Sequence, residues 1–186
     1  MHKGRLVVVS NRLPVTIESD DNGQRLYPSN GGLVSALMPI VRESGGCWIG
    51  WPGCDYDGAL LELLGDLEAS QNSFIPVALS QVERDTYYRG FSNEIIWPLF
   101  HNLPSRCQFD PIYWNGYCSA NEKFADAVAC VSQIDDFVWV HDYHLMILAE
   151  ALRRRGVPHR LAYFHHIPFP PPDIFETLPW RSSGHR

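Results

Sequence analysis

The segment between residues 137 and 164 constrains the fold of this chain more than any other part of the sequence. It begins with the short apolar run Phe137–Val140 and ends with a second run, Arg160–Phe164. Between them, apolar residues recur at helical spacing, at Leu145, Leu148, Ala149 and Leu152. Gly156 then suits the residue after a helix end, and Pro158 cannot continue a helix. This strand–helix–strand order predicts parallel strands joined by a crossover, as in a doubly wound, Rossmann-like α/β sheet.

Other short apolar runs supply further strands of the predicted sheet, at residues 5–10, 47–51 and 74–79. Pro76 has no N–H to donate, which predicts that the last of these strands lies at the sheet edge. The turn signal Asp21-Asn22-Gly23 predicts a separate hairpin between residues 15–17 and 25–27.

Helices are predicted where apolar residues recur at spacings of three and four. One begins after Gly31-Gly32, and Pro39 predicts that it kinks or stops early. Ser80 and Glu83 have the spacing of a capping box, which predicts a helix that reaches about residue 89. Two further helical patterns cover residues 93–101, where Pro98 disturbs the pattern, and residues 121–131.

Size and composition fit one globular domain and exclude several classes of protein. The chain has 186 residues, near the usual length of a single domain. Its net charge is −6, and a helix C-terminus accounts for the basic run Arg153–Arg155, so nucleic acid is not an expected partner. No apolar stretch is long enough for a membrane span or a signal peptide. The 5 cysteines form no Cys-x-x-Cys pair, which favours free thiols in the cytoplasm over disulfides or zinc.

Both strands of the 137–164 unit lead directly into histidine-rich sequence. His141-Asp142 follows the first strand, and His165-His166 follows the second. Because parallel strands end at the same edge of a sheet, we expect these residues to meet there, near Arg12 after the chain's first strand. Ligands of open α/β sheets bind at this edge. Imidazole and carboxylate groups there can exchange protons, and a guanidinium suits a phosphate or carboxylate.

Simpler roles exist for each of these groups. Asp142 could serve only as the N-cap of the helix that follows, and Arg12 could form a surface ion pair. The histidines could instead bind a metal ion in a metal-dependent hydrolase: His141, His144, His165 and His166. No cysteine or Glu-x-x-His pattern supports that third hypothesis, which a metal analysis of the purified chain would decide.

Two other features point to a phosphorylated sugar. Gly31-Gly32 precedes a helix, whose free N-terminal amides attract phosphate, although a plain tight turn also explains the pair. It matches neither GxGxxG nor a Walker loop, which disfavours NAD and P-loop chemistry. Aromatic residues crowd into positions 87–100, among them Tyr88 and Trp97. Such crowding is typical of a core, yet a sugar ring also stacks on aromatic faces.

Several motifs occur in the order found in one family. They are residues 9–14 (VSNRLP), 31–33 (GGL), 48–51 (WIGW), 87–88 (YY) with 91–93 (FSN) and 97–98 (WP), 141–145 (HDYHL) and 166–170 (HIPFP). Together they resemble the N-terminal part of the trehalose-6-phosphate synthase family, over about residues 5 to 180. The family implies two Rossmann-like domains that face a cleft, the GT-B arrangement. It also implies transfer of glucose from UDP-glucose to glucose 6-phosphate, with retention and without a metal or other cofactor.

The resemblance implies roles for particular residues on the acceptor side. Arg12, Tyr88 and Asp142 are expected to bind glucose 6-phosphate. Trp97 is expected to help shape the acceptor pocket.

On the donor side, the resemblance implies that Gly31 and Gly32 approach the diphosphate and sugar of UDP-glucose. His166 is expected to touch the donor glucose and to assist the transition state, so that His166 and Asp142 are the catalytic candidates. No carboxylate pair of the retaining-glycosidase kind is evident. The family is thought to use front-face attack, with the donor phosphate as the base.

The resemblance also predicts how the chain is organised. Residues 1–180 are expected to form the acceptor-side domain in incomplete form, residues 181–186 to depart from the family pattern, and the C-terminal UDP-glucose-binding domain to be absent. The chain alone is therefore expected to transfer almost no glucose, and uncovered strand edges favour self-association. Two alternatives stay open: an acceptor such as glycerol 3-phosphate or a cyclitol phosphate, and a non-catalytic module that senses a sugar phosphate.

Overall fold

A computed structural model shows a parallel five-stranded sheet, and it describes residues 4–20, 23–29, 31–54 and 74–181. The strands of this sheet are β1 (Leu6–Arg12), β4 (Cys47–Trp51), β5 (Phe74–Pro76), β6 (Phe137–His141) and β7 (Arg160–Phe164). Their order is β5-β4-β1-β6-β7, and every pairing is parallel. The predicted α/β class is therefore confirmed, and β5 lies at an edge, as Pro76 predicted.

An antiparallel hairpin of β2 (Val15–Asp20) and β3 (Gly23–Pro28) follows β1, where the turn signal predicted it. Residues 21 and 22 of that turn lie outside the described residues.

The helices lie on both faces of the sheet: α1 (Gly32–Glu43), α2 (residues 81–100), α3 (Pro111–Val131), α4 (Leu148–Arg154) and the short α5 (Pro172–Phe175). The 3-10 turn Pro104–Arg106 lies between α2 and α3, and the 3-10 turn Tyr143–Leu145 lies between β6 and α4. The predicted capping box is present, because the Ser80 hydroxyl accepts from the N–H of Glu83 and the Glu83 carboxylate accepts from the N–H of Ser80.

Helix α1 does not stop early at Pro39 but continues to Glu43, and the alternative of a kink at Pro39 stays a prediction. The predicted end of α2 is wrong. Helix α2 does not stop near residue 89, because its turns widen into a π-helix over Arg84–Ile96 and then return to an α turn at Trp97–Phe100. Pro98 falls in the first turn of this last α segment, where a missing N–H is tolerated.

Helix α3 begins ten residues before the predicted start at 121, at Pro111, with the Asp110 carboxylate accepting from the N–H of Ile112 at 2.9 Å. Gly116 interrupts the apolar pattern in this early part. A Cβ there would lie 2.0 Å from the Thr86 hydroxyl oxygen, so the glycine allows α3 to pack closely against α2. The apolar pattern therefore missed the first ten residues of α3, nearly three turns, although Asp110 and Pro111 form a local start signal.

Alternate residues of β1 belong to two apolar clusters, one on each face of the sheet. Val7 and Val9 pack with the helices α2, α3 and α4, whereas Leu6 and Val8 pack with α1 and Trp48. A strand with both faces buried has only its ends available for ligands, and this places the candidate site at the strand ends. Within the described residues, no helix has the length and apolar character that a membrane crossing requires.

Candidate functional site

A cavity of about 310 Å³ lies at the carboxyl edge of the sheet. Its lining includes Arg12 at the end of β1, Asp142 after β6 and His166 after β7. These residues come from distant parts of the chain, and the neighbouring positions of β1, β6 and β7 in the sheet bring them together. A larger cavity of about 500 Å³ lies at the opposite edge, where Leu6 and Phe137 begin their strands, and no predicted site residue lines it.

Trp51 and Gly53 hold the side chain of Arg12 in place. Its guanidinium carbon lies 5.0 Å from the ring centroid of Trp51, within the range of a cation–π contact. Gly53 lies against the same guanidinium with a φ of 92°, and a Cβ there would come within 2.0 Å of an Arg12 nitrogen. Arg12 is exposed, so its charged fork remains available to an anion.

Asp142 adopts a backbone conformation that is rarely open to residues other than glycine, with φ 77° and ψ 166°. Such a conformation costs about 1–3 kcal/mol and is typical of functional sites. The Asp142 carboxylate oxygen Oδ1 accepts hydrogen bonds from the N–H of Tyr143 at 2.9 Å and from the N–H of His166 at 3.3 Å. Asp142 thus caps the turn after β6, as its simpler prediction stated, and also ties the segment after β7 to that turn.

The side chains of His141 and His166 contact each other directly. Nδ1 of His141 lies 3.1 Å from Nε2 of His166. His141 is 1% exposed, whereas His166 is exposed at the cavity. Burial, together with the neighbouring His166, lowers the pKa of His141 to about 4, so His141 is neutral at pH 7.

His144 forms the buried side of the cavity. Its ring stacks on Tyr88 at a centroid distance of 5.7 Å and on Tyr143 at 4.0 Å. Neither ring nitrogen of His144 has a hydrogen-bond partner among the described residues. Burial lowers the pKa of His144, so this side chain is also neutral at pH 7. Tyr88 itself does not line the cavity but packs on His144 and, at a centroid distance of 5.9 Å, on Trp51; its predicted contact with glucose 6-phosphate stays a prediction.

The predicted donor-side glycines, Gly31 and Gly32, do not themselves line the cavity but stand in the sequence between Ser29 and Leu33, which do. Gly31 is the N-cap of α1 and has no side-chain cap, and Leu33 and Val34 of the first turn line the cavity. A Cβ at Gly32 would meet nothing within 4 Å, so space is open beside the helix N-terminus. The role of these glycines stays a prediction.

Trp97 is not brought to this cavity. It is 43% exposed on α2 and stacks on His101 at a centroid distance of 4.2 Å. Trp97 is not among the residues that line the cavity, and its role in shaping the acceptor pocket stays a prediction.

Sequence reasoning missed several residues that hold the site. Trp51 and Gly53 seat Arg12, as described above, and Trp48 donates its indole N–H to the Ser10 hydroxyl at 2.8 Å. Asn11 accepts a hydrogen bond from the Tyr87 hydroxyl at 2.9 Å. The WIGW motif at residues 48–51 could have identified Trp48 and Trp51 as site residues. No motif in the sequence indicated a role for Gly53.

Two of the histidine contacts use ring nitrogens that a metal ion would need. His165 contacts the Tyr163 hydroxyl through Nδ1 at 2.7 Å, and His141 contacts His166. In the part of the chain that the structure describes, no three His, Cys, Asp or Glu side chains are grouped to hold a metal ion.

Comparison with known proteins gives one consistent family. The profile of glycosyltransferase family 20 matches residues 4–183. UDP-forming alpha,alpha-trehalose-phosphate synthase A of Dictyostelium discoideum is 44% identical over 181 residues, which is 97% of this chain and 24% of that protein. The curated relative from Yarrowia lipolytica is covered to 39%. The chain thus spans only about a quarter to two fifths of these relatives.

Solved structures agree with this result. A trehalose-6-phosphate structure from E. coli with bound UDP-2-fluoro glucose superposes with a TM-score of 0.78 at 34% identity, over 97% of this chain and 37% of that chain. An alpha,alpha-trehalose-phosphate synthase from Burkholderia xenovorans in complex with glucose-6-phosphate gives a TM-score of 0.74 at 33% identity, with coverage of 97% and 37%.

Proposed function

The chain belongs to glycosyltransferase family 20, and from this membership we propose that its cavity binds glucose 6-phosphate as the acceptor in a retaining transfer of glucose from UDP-glucose. The products would be trehalose 6-phosphate and UDP. One observation carries the proposal: Arg12, Asp142 and His166 line a single cavity at the carboxyl edge of the sheet. The two solved relatives with a bound UDP-glucose analogue and with glucose-6-phosphate support this choice of substrates.

The chemistry of the lining suits a sugar phosphate. Arg12 presents a forked cation, which pairs with two phosphate oxygens at once. Asp142 supplies a carboxylate that can accept hydrogen bonds from sugar hydroxyls, and Ser10 and Asn11 add polar groups beside it. A volume of about 310 Å³ lies at the lower end of the range for small-molecule sites.

The same lining favours one type of retaining mechanism. Retaining glycosidases use two carboxyl groups that flank the bond being broken. Asp142 is the one carboxylate among the described lining residues. The described lining residues thus do not form a pair of that kind, and front-face attack enters the proposal from the family membership. Asp142 orients the acceptor, and His166 contacts the donor glucose during the front-face attack.

The proposal gives this chain the acceptor side of the reaction. The free amides of Gly31 and Gly32 at the N-terminus of α1 would meet the donor diphosphate at the cavity border. Because the chain spans about a quarter to two fifths of its curated relatives, the remaining donor contacts are assigned to sequence that these residues do not include.

Calorimetry with the 186-residue chain tests the phosphate contact. Glucose 6-phosphate should bind the wild-type chain, and Arg12→Ala should weaken it about tenfold to a hundredfold, the usual cost of losing a charged hydrogen bond. Arg106→Ala is the matched control, because Arg106 is exposed on the 3-10 turn Pro104–Arg106 and does not line the cavity. Equal affinity of the Arg12→Ala and Arg106→Ala variants would contradict the assigned site.

Asp142→Asn tests the carboxylate separately from the fold. Asparagine has the same shape as aspartate and keeps an oxygen that can accept from the N–H groups of Tyr143 and His166. We expect the fold to be kept and Tm to fall by about 2–4 °C, because weaker bonds from a neutral oxygen cost about 1 kcal/mol in a domain of this size. The affinity for glucose 6-phosphate should fall about tenfold, since charged acceptors bond about twice as strongly as neutral ones. An unchanged affinity would remove Asp142 from the proposed site.

The same titrations separate the alternatives. Tighter binding of glycerol 3-phosphate or of a cyclitol phosphate than of glucose 6-phosphate would keep the chemistry and change the acceptor. Binding of glucose 6-phosphate by a full-length protein that releases no UDP from UDP-glucose would favour a sensing module over an enzyme.

A further inference from the structure

His141 is a buried polar side chain whose one described hydrogen-bond contact is His166. The two residues are 25 positions apart in the sequence, and their rings face each other at a centroid distance of 5.3 Å with an angle of 29° between planes. Trp139 lies 4.9 Å and Phe164 lies 6.3 Å from the His141 ring. Both histidines line the cavity, and His141 also packs among the aromatic side chains at the ends of β6 and β7.

The hydrogen bond between the two rings requires one proton and one lone pair. Nε2 of His141 is buried and has no partner among the described residues. A buried N–H without an acceptor is rarer in proteins than an acceptor without a donor. Neutral His141 therefore carries its proton on Nδ1, which donates to Nε2 of His166. Nε2 of His166 is then an acceptor, and the remaining proton of a neutral His166 must lie on Nδ1.

The backbone of His166 is held independently of this bond. Its N–H donates to the Asp142 carboxylate at 3.3 Å, and the N–H of Asp142 donates to the carbonyl of Phe164 at 2.8 Å. These contacts place the Cα of His166, and Phe164 packs against its ring at a centroid distance of 4.6 Å, but neither determines which ring nitrogen carries the proton. Among the described residues, the ring of His166 has no hydrogen-bond partner other than His141.

We propose that His141 is a positioning residue, which fixes His166 in one ring orientation with its proton on Nδ1 and so makes His166 a hydrogen-bond donor toward the cavity. The group it would meet there is an oxygen of the bound sugar or phosphate. The identity of that ligand rests on the proposed function, whereas the tautomer of His166 does not.

The test compares His141→Phe with His141→Asn in the 186-residue chain. Phenylalanine keeps the aromatic packing between Trp139 and Phe164 but has no donor. Asparagine can place an amide N–H near the position of Nδ1. Melting temperatures and amide spectra first establish that each variant is folded. The readout is the pair of ring ¹⁵N chemical shifts of His166 at pH 8, which report the tautomer directly.

We expect mainly the Nδ1–H tautomer of His166 in the wild-type chain and in His141→Asn, and a mixture of tautomers in His141→Phe. A wild-type His166 with its proton on Nε2, or an unchanged tautomer ratio in His141→Phe, would overturn the inference. Should only His141→Asn fold, loss of the Nδ1–H tautomer there would also overturn it. Glucose 6-phosphate added to the wild-type chain should shift the His166 ring signals. If it shifts none, the proposed function fails, while the tautomer ratios still decide the role of His141.

Discussion

Two buried tyrosines, Tyr87 and Tyr117, lie beside the buried His144 but differ from it in their hydrogen bonding. The hydroxyl of Tyr117 donates to the carbonyl of Tyr143 at 2.8 Å and accepts from the N–H of Met146 at 3.0 Å. The hydroxyl of Tyr87 donates to Asn11. His144, whose ring lies 6.3 Å from that of Tyr87, has no partner for either nitrogen among the described residues.

This difference separates groups that hold the fold from groups that serve the cavity. The Tyr87 hydroxyl connects α2 to the end of β1, and the Tyr117 hydroxyl connects α3 to the segment that follows β6. His144 contributes ring packing and a neutral charge instead, and it lies on the cavity lining. A polar atom left unbonded in a core is costly, and in native proteins such atoms concentrate where function requires them.

The largest expected effect comes from Tyr117→Phe. The change leaves the Tyr143 carbonyl and the Met146 N–H without their partner, and each unpaired buried group costs about 1–3 kcal/mol. We expect the free energy of unfolding in urea to fall by about 3 kcal/mol. Tyr113→Phe is the control on the same helix, because its hydroxyl makes no hydrogen bond with the described residues, and it should change stability by less than about 0.5 kcal/mol. Equal losses in both variants would remove the contrast.

A second effect is expected from acid. The pKa of His144 is lower in the folded chain than in the unfolded chain, so below about pH 6.5 the unfolded chain binds more protons. Stability therefore falls as the pH drops from 6.5 toward the lowered pKa, by up to about 1.4 kcal/mol per pH unit for this one group. His144→Phe should remove that part of the slope.

Urea unfolding at pH 7.5, 6.5, 5.5 and 5.0 measures the difference between wild type and His144→Phe. The two proteins share every carboxylate, so the difference reports His144 itself. Below pH 6.5, the free energy of unfolding of His144→Phe should rise steadily relative to that of wild type as the pH falls. A constant difference over this range would show that His144 is protonated equally in the folded and unfolded chains.

The smallest effects are expected at pH 7.5 from two separate substitutions, one of a buried tyrosine and one of the buried histidine. Tyr87→Phe loses the hydrogen bond to Asn11 and should lower the free energy of unfolding by about 1 kcal/mol. His144→Phe loses no hydrogen bond to the described residues and relieves unpaired buried nitrogens, so it should raise that free energy by about 1 kcal/mol. Effects of the same sign in both variants would contradict the comparison.

Local signals in the sequence were sufficient for much of the fold. The apolar runs marked β1, β4, β6 and β7, since strands covered on both faces need continuous apolar residues. Ser80 with Glu83 marked the start of α2, and Gly156, with its φ of 71°, marked the end of α4. Each of these features depends on the chemistry of neighbouring residues alone.

Helix lengths depended on distant contacts and were predicted poorly. The π-helical turns at Arg84–Ile96 and the passage of α2 through Pro98 follow no local apolar spacing. The early part of α3 contains Gly116, whose close contact with Thr86, thirty positions away, follows from no local apolar spacing. Propensity has little weight at such positions, because packing between helices outweighs it.

For the candidate site, the sequence alone determined which residues stand at the strand ends, because parallel strands bring their carboxyl ends to one edge. Arg12, Asp142 and His166 follow from that rule. Only the tertiary structure decided what each one does there: the seat of Arg12 between Trp51 and Gly53, the positive φ of Asp142 and the bond from His141 to His166. The reason is physical, since hydrogen bonds and ring contacts form over a few ångströms between segments whose separation along the chain says nothing about their distance in space.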